Sequence, residues 1–431
     1  MSIDRSVAPD IKPITQISLP HVEAIKWKNG ITGFKINSGN LDLIEIEFLF
    51  KGGVKHEQIH SQSRMMSAML KEGTTQFSQQ QINETIDFYG AQIQVHTTID
   101  FTSVKLVCLL RHLSNLLPLL KEILTNCTFP EKEMQTVVMN KKQKLILEMQ
   151  KVEHLAHQKF SKLIFGKDYA AGHETKEDDF DNLKPTDLKK FYNQFIHAGN
   201  CLVIMAGKVT DNTCQLIEKI FGENDWKKDP VVYSVPVIES LSENKIWIEK
   251  KDAVQSAIRM GCLSINKSHP HWTAMKVLDT IYGGYFGSRL MSNLREEKGY
   301  CYGIYSSVVS MQDCGYLVIG TEVGSDVTKE AVIQIISEMN RLQSEMVSEE
   351  ELQLVKNYML GSILGNIDGV LNAASVVRGL MLYNLPIDSF NTTVEKINNV
   401  SSSDVLNMAQ LYFNANEMKQ SVAGSVNFIT D

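Results

Sequence analysis

The amino-acid sequence predicts an α+β protein that contains two copies of one α/β unit. At 431 residues, the chain is longer than one hydrophobic core usually serves, so at least two domains are expected. Several segments of the first half reappear in the second half, at a nearly constant offset, with the same polar caps and apolar spacing. Within each copy, predicted strands run together and predicted helices are long, which favours an α+β sandwich over a doubly wound sheet.

The repeat is clearest at the end of each copy. Pro185 and Ser402 each open a segment with helical apolar spacing and a polar start. Each segment leads into a strand-like stretch, which ends at Gly207 in the first copy and at Gly424 in the second. The offset from Pro185 to Ser402 equals the offset from Gly207 to Gly424, so no gap separates the copies here.

The earlier parts of the copies agree in the order of their predicted elements. Each copy is expected to begin with a strand and a helix, followed by a second helix and two further strands. The predicted segments are 43–50, 63–70 and 92–110 in the first copy and 257–263, 271–281 and 300–323 in the second. Periodicity lapses over 222–243, where Gly, Asn, Asp, Lys and Pro cluster. We therefore expect an N-terminal domain over residues 1–228 and a C-terminal domain over residues 229–431.

The composition excludes several classes of protein. It is 43% hydrophobic and 22% charged, as in an ordinary globular protein. A net charge of −7 disfavours nucleic-acid binding, which requires a basic surface stripe. No apolar run approaches the roughly 18 residues of a membrane helix. We therefore expect neither nucleic acid nor a membrane as a partner.

Cysteine usage and the first residues predict the compartment. The seven cysteines are scattered without CxxC spacing, and we interpret them as free thiols of a reducing compartment. Residues 1–13 contain Asp4, Arg5 and Asp10 and no apolar core, so a secretory signal is not expected there. The prediction is a cytoplasmic protein, or a periplasmic one if a signal peptide has been removed.

The most distinctive segment lies in the second copy. A glycine-rich loop at Gly283 and Gly284 is followed by a helix-like segment and the stretch LREEKGYCY at 294–302. With residues 129–134 and 165–207 of the first copy, it resembles the insulinase (pitrilysin) metallopeptidase family, which includes processing peptidases and core proteins of respiratory complexes. The resemblance spans nearly the whole chain. It implies a duplicated, processing-peptidase-like metallohydrolase fold.

The resemblance also implies where a zinc site would lie. Active members carry an HxxEH motif on the helix after the first strand, with two zinc-binding histidines and a glutamate that activates water. Aligned through the following Lys-Glu-Gly-Thr, the motif falls on Arg64, Ser67 and Ala68. The family's further glutamate ligand falls at about Gln143 or Lys144. The motif is degenerate, and we expect no metal on this chain.

A different zinc-peptidase pattern, HExxH, is spelled by His56, Glu57 and His60. That pattern works only on a helix, where positions i and i+4 share a face. Here it follows Gly52 and Gly53 and has polar neighbours, so we place it in the loop between a strand and a helix. We interpret its histidines as solvated loop residues.

The second copy keeps Arg295 and Tyr302 at the family's spacing of seven residues. The resemblance implies that Tyr302 donates a hydrogen bond to the oxyanion at a zinc site and that Arg295 holds a substrate carbonyl or carboxylate. Alternatively, Arg295 is a solvated helix residue and Tyr302 a sheet residue. Gly283 and Gly284 are expected either to admit a bound peptide close to the backbone or to end a helix. Tyr300, two residues before Tyr302 on a predicted strand, is expected to line the same cleft.

Three functions remain open from the sequence. The first is a non-catalytic, substrate-binding subunit, inactive alone, which supplies Arg295 and Tyr302 to the zinc site of an HxxEH-bearing partner. The substrate would be a peptide or an unfolded polypeptide, the zinc would lie on the partner, and the isolated chain could form a homodimer instead. The second is a scaffold or peptide-binding protein with no peptidase role. The third is an independent zinc hydrolase that uses His56, Glu57 and His60.

Overall fold

The computed structural model describes Ser6 and residues 14–234 and 237–425. Residues 1–13, in which no secretory signal was expected, lie outside the described residues except for Ser6. The strands are β1 (Glu23–Lys26), β2 (Thr32–Asn37), β3 (Leu43–Phe50), β4 (Gln92–Thr97), β5 (Thr102–Leu109), β6 (Cys201–Gly207), β7 (Lys245–Glu249), β8 (Gln255–Ser264), β9 (Cys301–Ser310), β10 (Gly315–Gly324) and β11 (Lys419–Gly424).

Helices make up most of the remaining chain. The α-helices are α1 (Gln62–Met69), α2 (Gln79–Phe88), α3 (Leu113–Thr125), α4 (Glu131–Glu148), α5 (Val152–Phe165), α6 (Asp178–Asp181), α7 (Pro185–Phe195), α8 (Asp211–Phe221), α9 (Trp272–Asp279), α10 (Thr328–Ser344), α11 (Glu349–Asn366), α12 (Val370–Leu382), α13 (Asp388–Asn399) and α14 (Ser402–Tyr412). Two π-helical segments, Thr280–Gly284 and Met291–Glu297, lie between α9 and β9.

The two mixed sheets confirm the predicted α+β fold with two homologous units. The first sheet has the order β1-β2-β6-β3-β5-β4 and the second β7-β11-β8-β10-β9. Apart from β1, the orders correspond strand for strand. A parallel pair in each sheet also corresponds, β2 with β6 and β7 with β11. The helices keep the offsets seen in the sequence, since α7 corresponds to α14 and α4 to α11.

The repeated helix starts have the same local chemistry. Before α7, the carboxylate of Asp187 accepts a hydrogen bond from the backbone N–H of Lys184 at 3.1 Å. Before α14, Asp404 accepts one from the N–H of Ser401 at 2.9 Å, and the Ser401 hydroxyl accepts one from the N–H of Asp404. These bonds satisfy backbone donors that a helix start leaves without partners. The two pairs stand at equivalent positions of the copies, so the repeat extends to individual caps.

Each copy contributes one helix to the sheet of the other copy. Helix α5 packs on β8 and β11 of the second sheet, where Ala156 meets Ala257 and Ala423. Helix α12 packs on β2 and β6 of the first sheet, where Ala374 and Val377 join the apolar cluster of that face. The starts of α5 and α12 are separated by the same offset as those of α4 and α11, so they are equivalent elements that the copies exchange. The domain boundary at 228/229 stays a prediction. A single cut in the chain does not separate the copies in space, because each has a helix packed on the other's sheet.

Ion pairs tie both exchanged helices to the strands beneath them. The Glu153 carboxylate of α5 lies 2.8 Å from the guanidinium of Arg259, which is almost fully buried on β8. The Arg378 guanidinium of α12 lies 3.0 Å from the buried Glu47 carboxylate of β3. Each pair joins a residue of one copy to a residue of the other. The contact between the copies is therefore both apolar and ionic.

A buried lysine joins the loops of the two copies. The ammonium of Lys55 lies 2.9 Å from Asp100 in the first copy and 2.7 Å from Asp313 in the second. Its side chain is only 4% exposed. Burial lowers the pKa of Lys55, but hydrogen bonds to Asp313 and Asp100 outweigh that effect and raise it overall. The lysine is therefore charged and holds both carboxylates.

All seven cysteines are free thiols. Cys108, Cys127 and Cys201 are buried, and the other four are partly exposed. Burial raises the pKa of Cys108 and of Cys127 to about 11, so these thiols stay protonated and poorly reactive at neutral pH.

No single helix in residues 14–234 and 237–425 is long and apolar enough to cross a membrane. Helices α11 and α12 meet that criterion only when taken together, and they are bent by 110° relative to each other. Helix α12 is the exchanged helix, and its buried side chains cover the first sheet.

Replacing Lys55 with methionine is expected to destabilise the junction between the copies. The K55M variant leaves the buried Asp100 and the more exposed Asp313 without their cation, and loss of the buried pair costs about 3–5 kcal/mol of unfolding free energy. Urea denaturation followed by circular dichroism measures the loss. The matched control is Lys51→Met, because Lys51 is an exposed lysine in the same loop. Equal stability of the two variants would show that the buried pair contributes nothing.

Candidate functional site

Helix α1 carries the degenerate motif, as the sequence predicted, with bounds that differ by one residue from the expected 63–70. Arg64 is exposed, Ala68 is partly exposed and Ser67 is buried. The Ser67 hydroxyl is hydrogen-bonded to the Thr97 hydroxyl of β4, which is in turn 3.0 Å from the Thr102 hydroxyl. A short chain of hydroxyl groups therefore starts at the position where the family has its catalytic glutamate.

Helix α4 packs against α1 and places a further cation near Arg64. Gln143 and Lys144, the positions expected for the distal ligand, are both exposed. Lys141 is partly buried, and burial lowers its pKa, with further lowering from the positive charges of Lys144 and Arg64. Sequence alignment missed Lys141, because only the packing of α4 on α1 shows which of its side chains lies near Arg64.

These residues do not fit a zinc ion. Zinc in proteins is bound by thiolate, imidazole and carboxylate groups, and the motif offers a guanidinium, a hydroxyl and a methyl group instead. The lysines of α4 add positive charge that repels a divalent cation. Across the described ranges, no group of three or more His, Cys, Asp and Glu side chains could hold a metal.

The HExxH pattern lies in the loop between β3 and α1, as expected, but His56 is not solvated. It is 8% exposed, and the centroid of its ring lies 4.3 Å from that of Tyr233 and 5.2 Å from that of Phe195. Its Nδ1 accepts a hydrogen bond from the Gly53 N–H at 3.0 Å. Burial, with the nearby charge of Lys55, lowers the His56 pKa to about 4. The interpretation as a solvated residue is wrong for His56, because its aromatic neighbours are distant in sequence.

Glu57 and His60 have separate structural roles. The Glu57 carboxylate accepts hydrogen bonds from the N–H groups of Ser61 at 2.9 Å and Ser63 at 2.8 Å, at the start of α1. His60 is exposed and stacks on His173, with ring centroids 3.4 Å apart and planes inclined by 7°. The three residues therefore face different partners on an irregular segment, which gives no support to an independent zinc hydrolase.

The structure brings Arg295 and Tyr302 together. Arg295 lies in the second π-helical segment, and Tyr302 is the second residue of β9. The Arg295 guanidinium carbon lies 5.5 Å from the Tyr302 ring centroid and 4.5 Å from that of Phe286. Both distances are in the range of cation–π attraction. Tyr302 is 92% exposed, so its hydroxyl is open to solvent.

An open cleft of about 640 Å³ lies beside this pair. It is lined by Gly283, Gly284, Phe286 and Tyr302, together with residues that the sequence did not single out: Glu153, Arg259, Tyr285, Tyr305 and Glu322. Arg259 lies over the Tyr305 ring, with 6.0 Å between guanidinium carbon and centroid. Glu153 belongs to the exchanged helix α5, so both copies form the cleft. No signal in the sequence pairs that helix with β8.

The other predicted residues of the cleft have different surroundings. A Cβ atom on Gly283 would lie 2.6 Å from the backbone nitrogen of Ser306, so close packing against β9 already requires glycine there. Gly284 ends the first π-helical segment. Tyr300 packs on the core of the second copy and does not line the cleft. The strand begins only at Cys301, so the alternation argument for Tyr300 was wrong.

Known proteins resemble both halves of the chain. The family described as Insulinase (Peptidase family M16) matches residues 57–170, and the Peptidase M16 inactive domain matches residues 182–359. The uncharacterized zinc protease YmxG of Bacillus subtilis is 23% identical over 350 residues, which cover 79% of this chain and 83% of that protein. The non-peptidase homolog YmxG of Helicobacter pylori is 19% identical over 385 residues, with 88% of each chain covered.

A solved structure has the same fold. The crystal structure of a peptidase M16 inactive domain from Pseudomonas fluorescens superposes with a TM-score of 0.87 at 19% identity, over 94% of this chain and 98% of that chain. The family matches on both halves agree with the duplicated fold, and Arg64, Ser67 and Ala68 stand where the zinc motif would be. The chain belongs to the insulinase (M16) family of peptidases, as an inactive-type member without the zinc motif.

Proposed function

We propose that this chain is the non-catalytic, substrate-binding subunit of a heterodimeric insulinase-type zinc peptidase. The observation that carries the proposal is the contrast between its two sites. The family's zinc ligands are absent at the former zinc position, whereas the cleft beside Arg295 and Tyr302 is open and the two side chains are in contact. The zinc would lie on an HxxEH-bearing partner, and Arg295 and Tyr302 would act there on a peptide or unfolded polypeptide.

The surroundings of Arg295 suit it to substrate binding. Its guanidinium lies over the Phe286 and Tyr302 rings, and it forms no ion pair within the described residues. Stacking on ring faces orients the planar group and leaves its N–H donors at the edge for a ligand. Carbonyl and carboxylate oxygens of a peptide are suitable acceptors for such donors.

The exposed rings of Phe286 and Tyr302 support the proposal that a partner covers this surface. Phe286 is 62% exposed and Tyr302 is 92% exposed, and both rings lie against the Arg295 guanidinium. A cluster of exposed rings with an arginine is typical of contact surfaces, where Tyr, Phe and Arg are enriched. In the isolated chain, a second copy would occupy this surface as a homodimer. We place the complex in the cytoplasm, or in the periplasm if a signal peptide is removed.

The proposal is tested by metal analysis and peptide cleavage. Plasma mass spectrometry of the purified chain is expected to find substoichiometric zinc, and a quenched fluorescent peptide library should stay uncleaved with or without added zinc. Adding a chain of similar length that carries HxxEH, such as one encoded by a neighbouring gene, should restore cleavage. One zinc per isolated chain with chelator-sensitive cleavage would overturn the proposal. A stable isolated chain that activates no such partner would favour a scaffold role instead.

In the mixed complex, Tyr302→Phe is expected to lower turnover roughly 100-fold, the usual effect of losing one oxyanion donor. The change removes a hydroxyl that is open to solvent in the isolated chain, so stability should not change. Tyr358→Phe is the matched control, because Tyr358 is also exposed but does not line the cleft. Steady-state kinetics on one peptide measure both variants. Equal turnover of Tyr302→Phe and wild type would remove Tyr302 from the reaction.

Restoring the two histidines alone is not expected to restore hydrolysis. The R64H/A68H double variant still lacks a carboxylate at Ser67 and on α4, and Lys141 still opposes a divalent cation. The measurement is peptide cleavage by the isolated variant in the presence of zinc, with the same assay after chelation. Chelator-sensitive cleavage by this variant would show that the zinc position is less altered than the geometry indicates.

A further inference from the structure

The former zinc position adjoins two cavities that the proposed function does not use. A smaller cavity of about 160 Å³ lies between α1 and α5, and a larger one of about 360 Å³ lies between the two copies. Arg64, His157, Ser161 and Ala171 line both cavities, so the two spaces meet along these four residues. Arg64 is the only one of the four that carries a permanent charge.

The cations at and near this junction form no ion pair with the protein within the described residues. Arg64, Lys141 and Lys144 have no carboxylate within 4 Å among the residues that the structure describes. The carboxylate of Glu57 is occupied by the backbone of Ser61 and Ser63, and that of Asp100 by the ammonium of Lys55. Glu57 and Glu148 interact with Arg64 and Lys144 at longer range and offset part of this charge, and the remaining positive potential attracts an anion.

Uncharged donors line the same space. The His154 Nε2 atom is fully enclosed and has no hydrogen-bond partner, and His154 lines the smaller cavity. Because that atom is inaccessible, it does not face the open space and is not a donor for a ligand there. His157 and the Ser161 hydroxyl lie at the junction and form no hydrogen bond within the described ranges. Both can donate to an oxygen beside Arg64.

Apolar side chains line most of the larger cavity beyond this end, and Asp100, Gln312 and Tyr383 are polar members of its lining. Its volume lies within the range of pockets that hold small organic ligands. The apolar and aromatic side chains that line it come from both copies: Ile99, Phe101, Phe165, Met311, Tyr316 and Leu382. A space with the Arg64 guanidinium at one end and mostly apolar walls beyond matches a ligand that has an anionic end and an apolar body.

We propose that the former zinc position is a binding site for a carboxylate that carries an apolar group. The carboxylate lies against the Arg64 guanidinium, which can hold it through two hydrogen bonds, and the apolar group enters the larger cavity. A peptide that ends in an apolar residue and a small free carboxylic acid both have this chemistry. The site belongs to the isolated chain and does not depend on the proposed partner subunit.

Calorimetric titration of the isolated chain tests the site. The probes are a hexapeptide ending in phenylalanine, the same peptide as its C-terminal amide, and 4-phenylbutyrate. The free-acid peptide is expected to bind roughly tenfold or more tightly than the amide, because a charge-assisted hydrogen bond is lost in the amide. Arg64→Gln should abolish this difference, and Lys141→Gln should reduce it. Because Arg64 is exposed, the Arg64→Gln variant should keep the fold and the melting temperature of the wild-type protein.

Arg111→Gln is the matched control, since Arg111 is an exposed arginine at the opposite end of β5, and it should leave the difference intact. Binding of 4-phenylbutyrate that also depends on Arg64 would assign the site to small carboxylic acids as well. Binding of the peptide alone would assign it to peptide C-termini. Equal affinity for acid and amide, a difference that survives in Arg64→Gln, or no binding of any probe would overturn the proposal.

Discussion

The exchange of α5 and α12 is the constraint on which the rest of the structure depends. Each sheet covers one face with helices of its own copy and the other with a helix of the opposite copy. Along β6, Val203 and Met205 belong to the core of the first copy, whereas Ile204 and Ala206 pack against α12. A β-strand presents alternate side chains to opposite faces, so both faces are apolar here. Neither copy can bury its sheet fully without the other.

The exchange also determines how the two sites are built. Arg295 and Tyr302 belong to the second copy, but the wall of their cleft includes Glu153, which α5 brings from the first copy to Arg259. The cavity beside Arg64 is likewise closed by the β9–β10 hairpin and by α12. Both sites are therefore built from both copies, and their shape depends on the interface where Lys55 holds one carboxylate from each side.

The sequence predicted what depends on local pattern and missed what depends on packing. The repeat was visible because caps and apolar spacing are local, and they recur at the same offsets in the helices. The burial of His56 depends on Phe195 and Tyr233, far along the chain, so no local pattern indicates it. Tyr300 was misplaced because the start of β9 is set by pairing, with Cys301 opposite Val323 beside a bulge.

The cleft beside Arg295 and Tyr302 does not depend on a metal for its geometry. Phe286 and Tyr302 orient Arg295, and the packing of Gly283 against Ser306 positions the segment before it. At the former zinc position, Ser67 is buried, but its hydroxyl is hydrogen-bonded to Thr97, so this hydroxyl is not left without a partner. Because neither site needs zinc to satisfy its own groups, the ligands can be absent while the fold and the cleft persist. Under the proposed function, this surface would bind substrate and would become catalytic only with a metal from another subunit.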